Sequence, residues 1–288
     1  MTTALVTGGT SGIGLAFARA LAARGDDLVL VARDPDRLTA AADGLRETYG
    51  VQVETLAADL ADREQVLRVA ERLESAEQPI DTLVNNAGFG VRAKLLDADT
   101  TPHEQSLDVM VRAVLILGAA AGRSMRARGS GTIINVSSTA GYVTMGSYSA
   151  TKAWVTVYTE SLANELRGSG VKVTVLCPGW VRTEFHERAE INSTRIPSTL
   201  WLDADQLVAD CLADVERSKV ISIPSLRYKT LMFVARHVPR SGVRWISGKL
   251  ASSRHCPLCQ ADRESFIDQE VEGVGSVDRA GLDCGGDS

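Results

Sequence analysis

Short apolar stretches alternate with longer amphipathic ones along most of the chain. The short stretches are rich in leucine and β-branched residues, which predicts strands at 3–6, 28–32, 51–56, 82–85, 132–136, 172–176 and 220–223. The longer stretches repeat their apolar residues at helical spacing, which predicts helices at 13–24, 35–49, 63–74, 102–128, 147–167 and 204–217. This alternation predicts an α/β fold, a doubly wound parallel sheet of seven strands with helices on both faces.

Two regions depart from the alternation. Residues 184–203 have no clear period and are long for a connection inside a compact domain, so we predict a substrate lid there. Residues 226–250 mix apolar and basic side chains and predict a C-terminal helical segment. Residues 251–288 are polar and rich in glycine and aspartate, which predicts a disordered tail. We therefore expect one domain over 1–250, followed by that tail.

The composition is typical of a globular protein, with 44% hydrophobic and 23% charged residues. The net charge of -5 and the pI near 5.5 argue against a nucleic-acid partner. The N-terminus lacks the basic and apolar regions of a secretory signal, and no run approaches about 18 uninterrupted apolar residues. We therefore expect a cytoplasmic protein whose five cysteines are reduced thiols.

A glycine-rich loop follows the first predicted strand and leads directly into the first predicted helix. Its sequence is TGGTSGIG, residues 7–14, in which the glycines allow a tight turn and a close approach to a ligand. The N-terminus of the helix offers free N–H groups to a pyrophosphate. The sequence therefore predicts a dinucleotide site that includes Gly8, Thr10, Ser11, Gly12, Ile13 and Gly14.

The end of the second predicted strand indicates which dinucleotide is bound. An NAD site places an acid here against the ribose 2′-hydroxyl, whereas the 2′-phosphate of NADP needs a cation. The strand ends in LVLVARD, where Arg33 is such a cation and Asp34 follows it. We therefore predict that NADP(H) is preferred, with NAD(H) as the alternative. Other residues that follow strands, where open α/β sheets bind ligands, are Asp59, Leu60, Asn86, Ala87 and Gly88.

The stretch YSATK, residues 148–152, sets a tyrosine four residues ahead of a lysine. Positions i and i+4 lie on one helix face, so Tyr148 and Lys152 project into the same space. A neighbouring ammonium favours phenolate, which predicts that the pKa of Tyr148 falls from about 10 toward neutrality. Such a tyrosine exchanges protons with a ligand, whereas the alternative is an ordinary solvated helix face.

Five motifs in one order, TGGTSGIG, NNAG, SS, YSATK and PGWVRT, resemble those of the short-chain dehydrogenase/reductase family over residues 3–183. The resemblance implies a Rossmann-type sheet of order 3-2-1-4-5-6-7 and hydride transfer between a nicotinamide and an alcohol or carbonyl. By the same resemblance, Tyr148 is the general acid or base, and Lys152 lowers its pKa and holds the nicotinamide ribose. The family's substrate-binding serine matches Ser138 rather than Ser137, because Gly141 lies three residues on.

The resemblance also implies where the two ends of the dinucleotide lie. Asn86, Ala87 and Gly88 match the stretch that lines the adenine and ribose side, with Asp59 near the adenine. The segment that contacts the nicotinamide matches Pro178, Gly179, Val181 and Thr183.

Two features depart from the family pattern. The stretch from Ser138 to Tyr148 is shorter than usual, which predicts a more open substrate pocket. The family often has an active-site asparagine in the fourth helix, and an ungapped alignment places Met110 there. Because a thioether cannot supply the amide of a water-linked proton path, we expect slower proton exchange with solvent but retained chemistry.

The remaining signals concern partners and metals. The fourth and fifth predicted helices have more apolar surface than one sheet face needs, and the family resemblance implies a homodimer or homotetramer built on them. Residues 226–250 predict a pocket-closing or subunit-contacting segment, with a peripheral membrane contact as the less favoured alternative. Cys256 and Cys259 lack a second closely spaced ligand pair, so we predict no metal site.

These observations favour an NADP(H)-preferring oxidoreductase that interconverts a secondary alcohol and a ketone, or an aldehyde, on a small lipophilic substrate. The lipophilic pocket is inferred from Trp180, Phe185, Ile191, Ile196 and Trp201. One alternative is a dinucleotide-binding regulatory or scaffold protein without turnover, which Met110 favours. Another is an epimerase or dehydratase of similar fold, against which the chain length and the form of the glycine loop argue.

Overall fold

The structure, a computed structural model, describes residues 2–91, 93–183 and 197–252. Seven strands pair in parallel: β1 Thr3–Thr7, β2 Asp27–Ala32, β3 Val53–Ala57, β4 Thr82–Asn85, β5 Gly131–Val136, β6 Val171–Leu176 and β9 Ile221–Ser222. Their order is β3-β2-β1-β4-β5-β6-β9. The predicted order is therefore confirmed, with 221–222 as the seventh strand. A separate pair of short parallel strands consists of β7 Trp180–Val181 and β8 Trp201–Leu202.

The helices connect the strands as the alternation predicted. They are α1 Gly12–Ala22, α2 Pro35–Tyr49, α3 Arg63–Glu74, α4 Thr101–Leu107, α5 Ala113–Arg128, α6 Ser147–Glu165, α7 Ala204–Glu216, α8 Leu226–His237 and α9 Arg240–Ser252. The helix predicted as unbroken over 102–128 is instead interrupted by a turn of π-helix at Asp108–Arg112. The segment predicted as helical over 226–250 forms two helices, α8 and α9.

The core lies on both faces of the sheet because successive side chains of each strand point to opposite sides. On β1, Ala4 and Val6 belong to the apolar cluster that includes Phe17 of α1, and Leu5 belongs to the opposite cluster. The first cluster packs beneath α1, α2 and α7, and the second beneath α3, α5 and α6. Helices therefore cover the two faces of the sheet.

One helical stretch, Thr101–Arg128, is long and apolar enough by composition to cross a membrane. Half of its most apolar window is buried inside the protein. Ala113, Leu117 and Met125 of this stretch are at most 1% exposed in the cluster beneath α3 and α5. Its apolar character is thus what a core helix of this fold requires.

The chain consists of two units, and the predicted lid and tail are described only in part. The chain divides into two units after Arg244, and the whole sheet and every predicted cofactor and catalytic residue lie in the first. Of the predicted lid at 184–203, residues 184–196 lie outside the described residues, and 197–202 contain a 3₁₀ turn and β8. Of the predicted tail, 253–288, with Cys256 and Cys259, lies outside them too.

Candidate active site

Four segments with predicted site residues meet at one edge of the sheet. They follow β1, β4, β5 and β6, and parallel strands place their carboxyl ends at the same edge. Ser137 N donates to Leu176 O at 2.8 Å, and Thr139 N donates to Pro178 O at 2.9 Å. These bonds join the segment after β5 to the segment after β6, so the catalytic side and the PGWVRT side of the site form one surface.

The glycine loop after β1 is closed tightly on itself and on the segment after β4. Gly8 has a φ of +66° and Gly12 a φ of +55°, the left-handed region that favours glycine. A Cβ on Gly14 would lie 2.1 Å from Gly8 O, and a Cβ on Gly8 would lie 2.9 Å from Asn86 Nδ2. Only glycine fits at 8 and 14 without moving the backbone.

The start of α1 is suited to bind a phosphate group. Ser11 is the N-cap residue, but no described side chain makes a capping hydrogen bond there, and the first turn contains no acidic residue. Its N–H groups therefore face the loop without a carboxylate or hydroxyl to occupy them. A pyrophosphate fits this position chemically, since the helix N-terminus favours negative charge and the glycines keep side chains out of the way.

Asn86 holds the glycine loop to the end of β4. Its amide Nδ2 donates to Thr7 O at 3.0 Å and to Gly8 O at 3.3 Å, and its backbone N donates to Thr7 Oγ1 at 2.9 Å. Ala87 N donates to the same hydroxyl at 3.1 Å. Asn86 thus supports the loop through its side chain, a positioning function that adds to the cofactor contact expected from the resemblance.

The end of β2 places a cation and an acid in different surroundings. Asp34 Oδ1 accepts from Asp36 N at 3.0 Å and from Arg37 N at 3.1 Å, so its carboxylate caps α2. The side chain of Arg33 is exposed and makes no hydrogen bond or ion pair with any residue that the structure describes. The guanidinium is therefore available to an incoming anion, while the acid beside it is engaged by its own helix.

Asp59 and Leu60 follow β3 at the same carboxyl edge of the sheet. Asp59 Oδ1 accepts from Ala61 N at 2.9 Å, and Asp59 N donates to Gln65 Oε1 at 2.8 Å. Leu60 is buried at 6% exposure in the cluster beneath α3. The carboxylate of Asp59 thus shapes the turn into α3, and Leu60 anchors that turn in the core.

Ser138 and Tyr148 lie within hydrogen-bonding distance of each other, although they are ten positions apart in the sequence. Ser138 Oγ also accepts from Ala140 N at 3.1 Å, which caps the 3₁₀ turn Thr139–Tyr142. A Cβ on Gly141 in that turn would lie 2.9 Å from Ala153 N and 2.9 Å from Lys152 C. Glycine at 141 therefore lets the turn approach α6 closely enough for the two hydroxyls to meet.

Ser137 has a different surrounding from Ser138. It is buried at 2% exposure, and its Oγ donates to Lys152 O at 2.6 Å. Lys152 Nζ donates to Val136 O at 3.0 Å and lies 5.7 Å from the centre of the Tyr148 ring. Ser137 thus anchors the backbone of α6, and Ser138 is the serine whose hydroxyl reaches the tyrosine.

Burial shifts the proton affinity of the tyrosine and the lysine in opposite directions. It raises the pKa of Tyr148 to about 12, while the bond from Ser138 acts in the opposite sense. It lowers the pKa of Lys152 to about 8. The prediction that the pKa of Tyr148 falls toward neutrality is therefore wrong for this structure, because the loss of hydration outweighs the hydrogen bond from Ser138.

Met110 occupies the π turn between α4 and α5 and is buried at 1% exposure. A Cβ on Gly88 would lie 2.8 Å from Met110 Sδ and 3.6 Å from Lys152 Nζ. The thioether and the ammonium therefore flank the same point beside Gly88. The side chain predicted to replace the family asparagine lies beside the lysine, where it offers only a weak acceptor.

The segment after β6 is held on both sides. Val181 is buried at 3% exposure in the cluster beneath α1, and the side chain of Thr183 lies against Gly12, where an added Cβ would be 3.3 Å from Thr183 Cβ. Pro178 and Gly179 lie between β6 and β7. Of the lipophilic pocket residues, Trp180 and Trp201 have ring centres 6.2 Å apart. Phe185, Ile191 and Ile196 lie outside the described residues.

Tyr228 of α8 is a site residue that the sequence did not predict. Its hydroxyl donates to Leu200 O at 2.8 Å and accepts from Trp180 N at 3.1 Å. A Cβ on Gly179 would lie 2.0 Å from its ring carbon Cζ. Burial raises its pKa, so the hydroxyl stays protonated. The glycine of the PGWVRT motif is thus needed for contact with a tyrosine 49 positions away, which no local pattern indicates.

Known proteins share this architecture. The family model described as short chain dehydrogenase matches residues 2–193. Galactitol 2-dehydrogenase (L-tagatose-forming) from Cereibacter sphaeroides is 38% identical over 210 residues, which cover 69% of this chain and 78% of that enzyme.

Solved structures resemble the chain over most of its length. A short-chain dehydrogenase from Sphingobium yanoikuyae in complex with NADPH is 32% identical, with a TM-score of 0.74, 98% of this chain and 99% of that chain being covered. The bulky-bulky ketone specific alcohol dehydrogenase from Comamonas testosteroni is 28% identical, with a TM-score of 0.71 and coverages of 98% and 97%.

A parallel sheet with a glycine loop after its first strand, and a serine, tyrosine and lysine beside that loop, defines a class of dinucleotide-dependent oxidoreductases. The match over 2–193 includes all of these features. The chain belongs to the short-chain dehydrogenase/reductase family, and it is an NAD(P)-dependent oxidoreductase.

Proposed function

We propose that the protein interconverts a secondary alcohol and a ketone, or reduces an aldehyde, on a small lipophilic substrate with NADP(H) as the preferred cofactor. The observation that carries the proposal is the contact of Tyr148 with Ser138 beside the buried Lys152, at the edge of the sheet where the glycine loop ends. These three side chains are the proposed catalytic residues.

Each of the three residues has a different role in proton transfer to the substrate. NADP(H), when bound, supplies or accepts the hydride. In the reductive direction, Ser138 donates a hydrogen bond to the substrate oxygen, and Tyr148 gives its proton to that oxygen. The ammonium of Lys152, 5.7 Å from the ring centre, lowers the cost of the phenolate that remains. A raised phenol pKa of about 12 keeps the proton on Tyr148 until the substrate arrives.

The surroundings of Arg33 support NADP(H) over NAD(H). A 2′-phosphate placed at the end of β2 would meet the guanidinium of Arg33, with which none of the described residues pairs, while the carboxylate of Asp34 is turned to the N–H groups of α2. The solved relative from Sphingobium yanoikuyae, which contains NADPH, adds support. The proposed contacts to the rest of the dinucleotide are those of the glycine loop, Asp59, Asn86 and the segment after β6.

Arg33→Ala tests the cofactor proposal. We expect the Kd for NADPH to rise about tenfold or more and the Kd for NADH to change little, because a charge-assisted bond to phosphate contributes about 1.5–3 kcal/mol. Fluorescence titration of the reduced cofactors measures both values, and Arg37→Ala serves as a neighbouring arginine control. Equal weakening of the two cofactors would contradict the 2′-phosphate contact.

The lipophilic substrate is supported by Trp180, which precedes the predicted lid, and Trp201, near the end of that lid, because their ring centres lie 6.2 Å apart. The Comamonas testosteroni relative is named for bulky-bulky ketones, which agrees with this proposal. The galactitol 2-dehydrogenase relative is named for a polar polyol, so the substrate panel must include both kinds.

The substitution Tyr148→Phe tests whether the protein is an active oxidoreductase or a dinucleotide-binding regulatory or scaffold protein. The test follows NADPH consumption by the wild type and the variant with hydrophobic ketones, aldehydes and sugar alcohols or ketoses. We expect turnover of the lipophilic carbonyls, reduced at least about a hundredfold in the variant, with NADPH binding retained. Tight NADPH binding without turnover that the variant removes would instead favour a regulatory or scaffold protein.

We also propose a cytoplasmic homodimer formed through α5 and α6. The support is an outward face of these helices on which Leu115 is 46% and Val157 is 62% exposed. Cell fractionation followed by sizing of the cytoplasmic pool tests both parts.

A further inference from the structure

The outward side of α8 carries large apolar side chains that stand in solvent. Leu226 is 80% exposed, Phe233 63%, Leu231 52% and Val234 51%. The same helix buries Tyr228 at 4% exposure. The helix therefore presents apolar residues on both sides, one toward the sheet domain and one away from it, which an ordinary surface helix does not do.

Three of these residues form a ridge along the outer side of α8. At about 100° of rotation per residue, Leu226, Phe233 and Val234 fall within an arc of about 100°, which they share with the exposed Thr230 and His237. Arg227 and Lys229, both exposed, fall just outside the two edges of that arc. A projecting apolar ridge with a basic side chain on each flank can enter an interface while its cationic groups stay at the polar boundary.

The sequence around this ridge is basic, although Asp214 of α7 lies close enough to Lys229 for the two charges to interact. Residues 217–244 contain seven lysine and arginine residues and no aspartate or glutamate, although the whole chain has a net charge of -5. A second copy docked on the ridge by two-fold symmetry would bring like charges together. Charge complementarity therefore favours an anionic partner. Because the ridge projects from the protein, it fits a deformable surface better than a rigid groove of fixed shape.

We propose that the outer side of α8, defined by Leu226, Arg227, Lys229, Phe233 and Val234, docks the protein onto an anionic phospholipid membrane. The apolar side chains would enter the boundary between headgroups and acyl chains, and the cations would contact the lipid phosphates. The contact is peripheral and reversible. It does not depend on the reaction proposed above, because none of these five residues touches the catalytic groups.

Co-sedimentation of the full chain with lipid vesicles tests this proposal. We expect binding to vesicles of phosphatidylcholine mixed with phosphatidylglycerol, binding at least about tenfold weaker to phosphatidylcholine alone, and loss of binding as salt is raised. Leu226→Ser combined with Phe233→Ser should weaken the anionic binding at least about tenfold, since it removes two inserted side chains. Lys229→Glu should weaken it by a similar factor.

Helix α3 offers matched controls, because Leu67 is 41% exposed and Arg68 beside it is exposed as well. Leu67→Ser and Arg68→Glu should leave vesicle binding unchanged, and unchanged NADPH binding shows that all variants are folded. Failure of the wild type to bind anionic vesicles would overturn the proposal. So would equal loss in the α3 variants, or a change of oligomeric mass in the Leu226 and Phe233 variant, which would make a second copy the occupant.

Discussion

Tyr148 and Lys152 are both withdrawn from water, and burial penalises the charged form of each. The phenol therefore keeps its proton far above neutral pH, with a pKa of about 12, whereas the ammonium has a pKa of about 8. As pH rises, the Lys152 ammonium that stabilises a developing phenolate consequently loses its proton before the Tyr148 phenol does. Lys152, rather than Tyr148, is expected to set the upper pH limit of carbonyl reduction.

This limit predicts a pH profile. The Lys152 ammonium is protonated below a pH of about 8 and is lost above it, so the kcat for carbonyl reduction should be level at lower pH and fall as pH rises through 8. The measurement is kcat against pH at saturating NADPH. Lys152→Arg is the control, because a guanidinium keeps its charge and whatever activity remains should not show that fall. A wild-type profile that stays level through this range would contradict the assignment.

The residues of this pair were predictable from sequence, but their pKa values were not. A spacing of four positions in a helix places Tyr148 and Lys152 on one face, and this spacing can be read from the local sequence. The sign of the pKa shift depends on how completely the pair is buried, and that depends on segments distant in sequence, such as Gly88 after β4. The roles of Ser137 and Ser138 likewise depend on the folded structure. Ser137 bonds the backbone of α6 at Lys152, whereas Ser138 bonds the side chain of Tyr148 on the same helix.

Among the elements, the π turn Asp108–Arg112 is the one that alters the site most directly. A π turn adds a residue to a helical turn and often lies at functional sites. Here it carries Met110, whose sulfur lies beside Gly88 near Lys152 Nζ. Apolar periodicity predicted one continuous helix, because a single wide turn shifts the pattern too little to be seen in sequence.

Met110→Asn should raise turnover. An amide at this position would give the lysine ammonium a strong acceptor and could hold a water beside it, which opens a proton path to solvent. We expect kcat to rise about fivefold, the value of one additional hydrogen bond. Met110→Leu is the control, since it preserves volume without adding an acceptor, and it should leave kcat unchanged. Equal or lower turnover in the asparagine variant would contradict this account.

Helix α8 links the segment after β6 to the short strand β8. The hydroxyl of Tyr228 bonds Trp180 N, which precedes the predicted lid, and Leu200 O, near the end of that lid, while its ring packs on Gly179. The pairing of Trp180 with Trp201 reinforces the same link. Sequence patterns missed β7 and β8, because two-residue strands have no period and are stabilised by contacts distant along the chain.

Tyr228→Phe should loosen this link without removing the ring. The change leaves the Trp180 N–H and the Leu200 carbonyl without their partner, so the PGWVRT segment should lose its fixed position against the cofactor. We expect KM for NADPH to rise about fivefold with a smaller change in kcat, in steady-state kinetics. Tyr49→Phe on α2 is the matched control. An unchanged KM, or an equal effect in the control, would limit Tyr228 to a structural role.

For the whole molecule, the sheet order followed from motifs that are local in sequence. Each strand is short, and the inner strands are buried and followed by recognisable loops, so the order β3-β2-β1-β4-β5-β6-β9 was predictable once the loops matched a family pattern. The assembly of subunits is different in kind. It depends on which surface remains uncovered after folding, and sequence indicates only that α5 and α6 carry surplus apolar residues.

The folded structure shows where that surplus lies. Tyr158 of α6 stacks on Trp154 with ring centres 4.8 Å apart, and a Cβ on Gly118 of α5 would lie 2.6 Å from Tyr158 Oη. The side chain of Tyr158 thus contacts α5, and the outward face proposed for the subunit contact carries the exposed Leu115 of α5 and Val157 of α6. A two-fold axis through this face would bury these residues from both copies, so every change there counts twice.

Val157→Arg should therefore dissociate the proposed dimer. Val157 is 62% exposed in the single chain, so arginine costs the fold little, whereas in a symmetric interface it would bury two like charges. We expect the dimer dissociation constant to rise at least about a hundredfold, measured by size-exclusion chromatography with light scattering over a dilution series. Leu67→Arg on α3, at 41% exposure, is the control and should leave the mass unchanged. A wild type that is already monomeric, or a variant of unchanged mass, would place the subunit contact elsewhere.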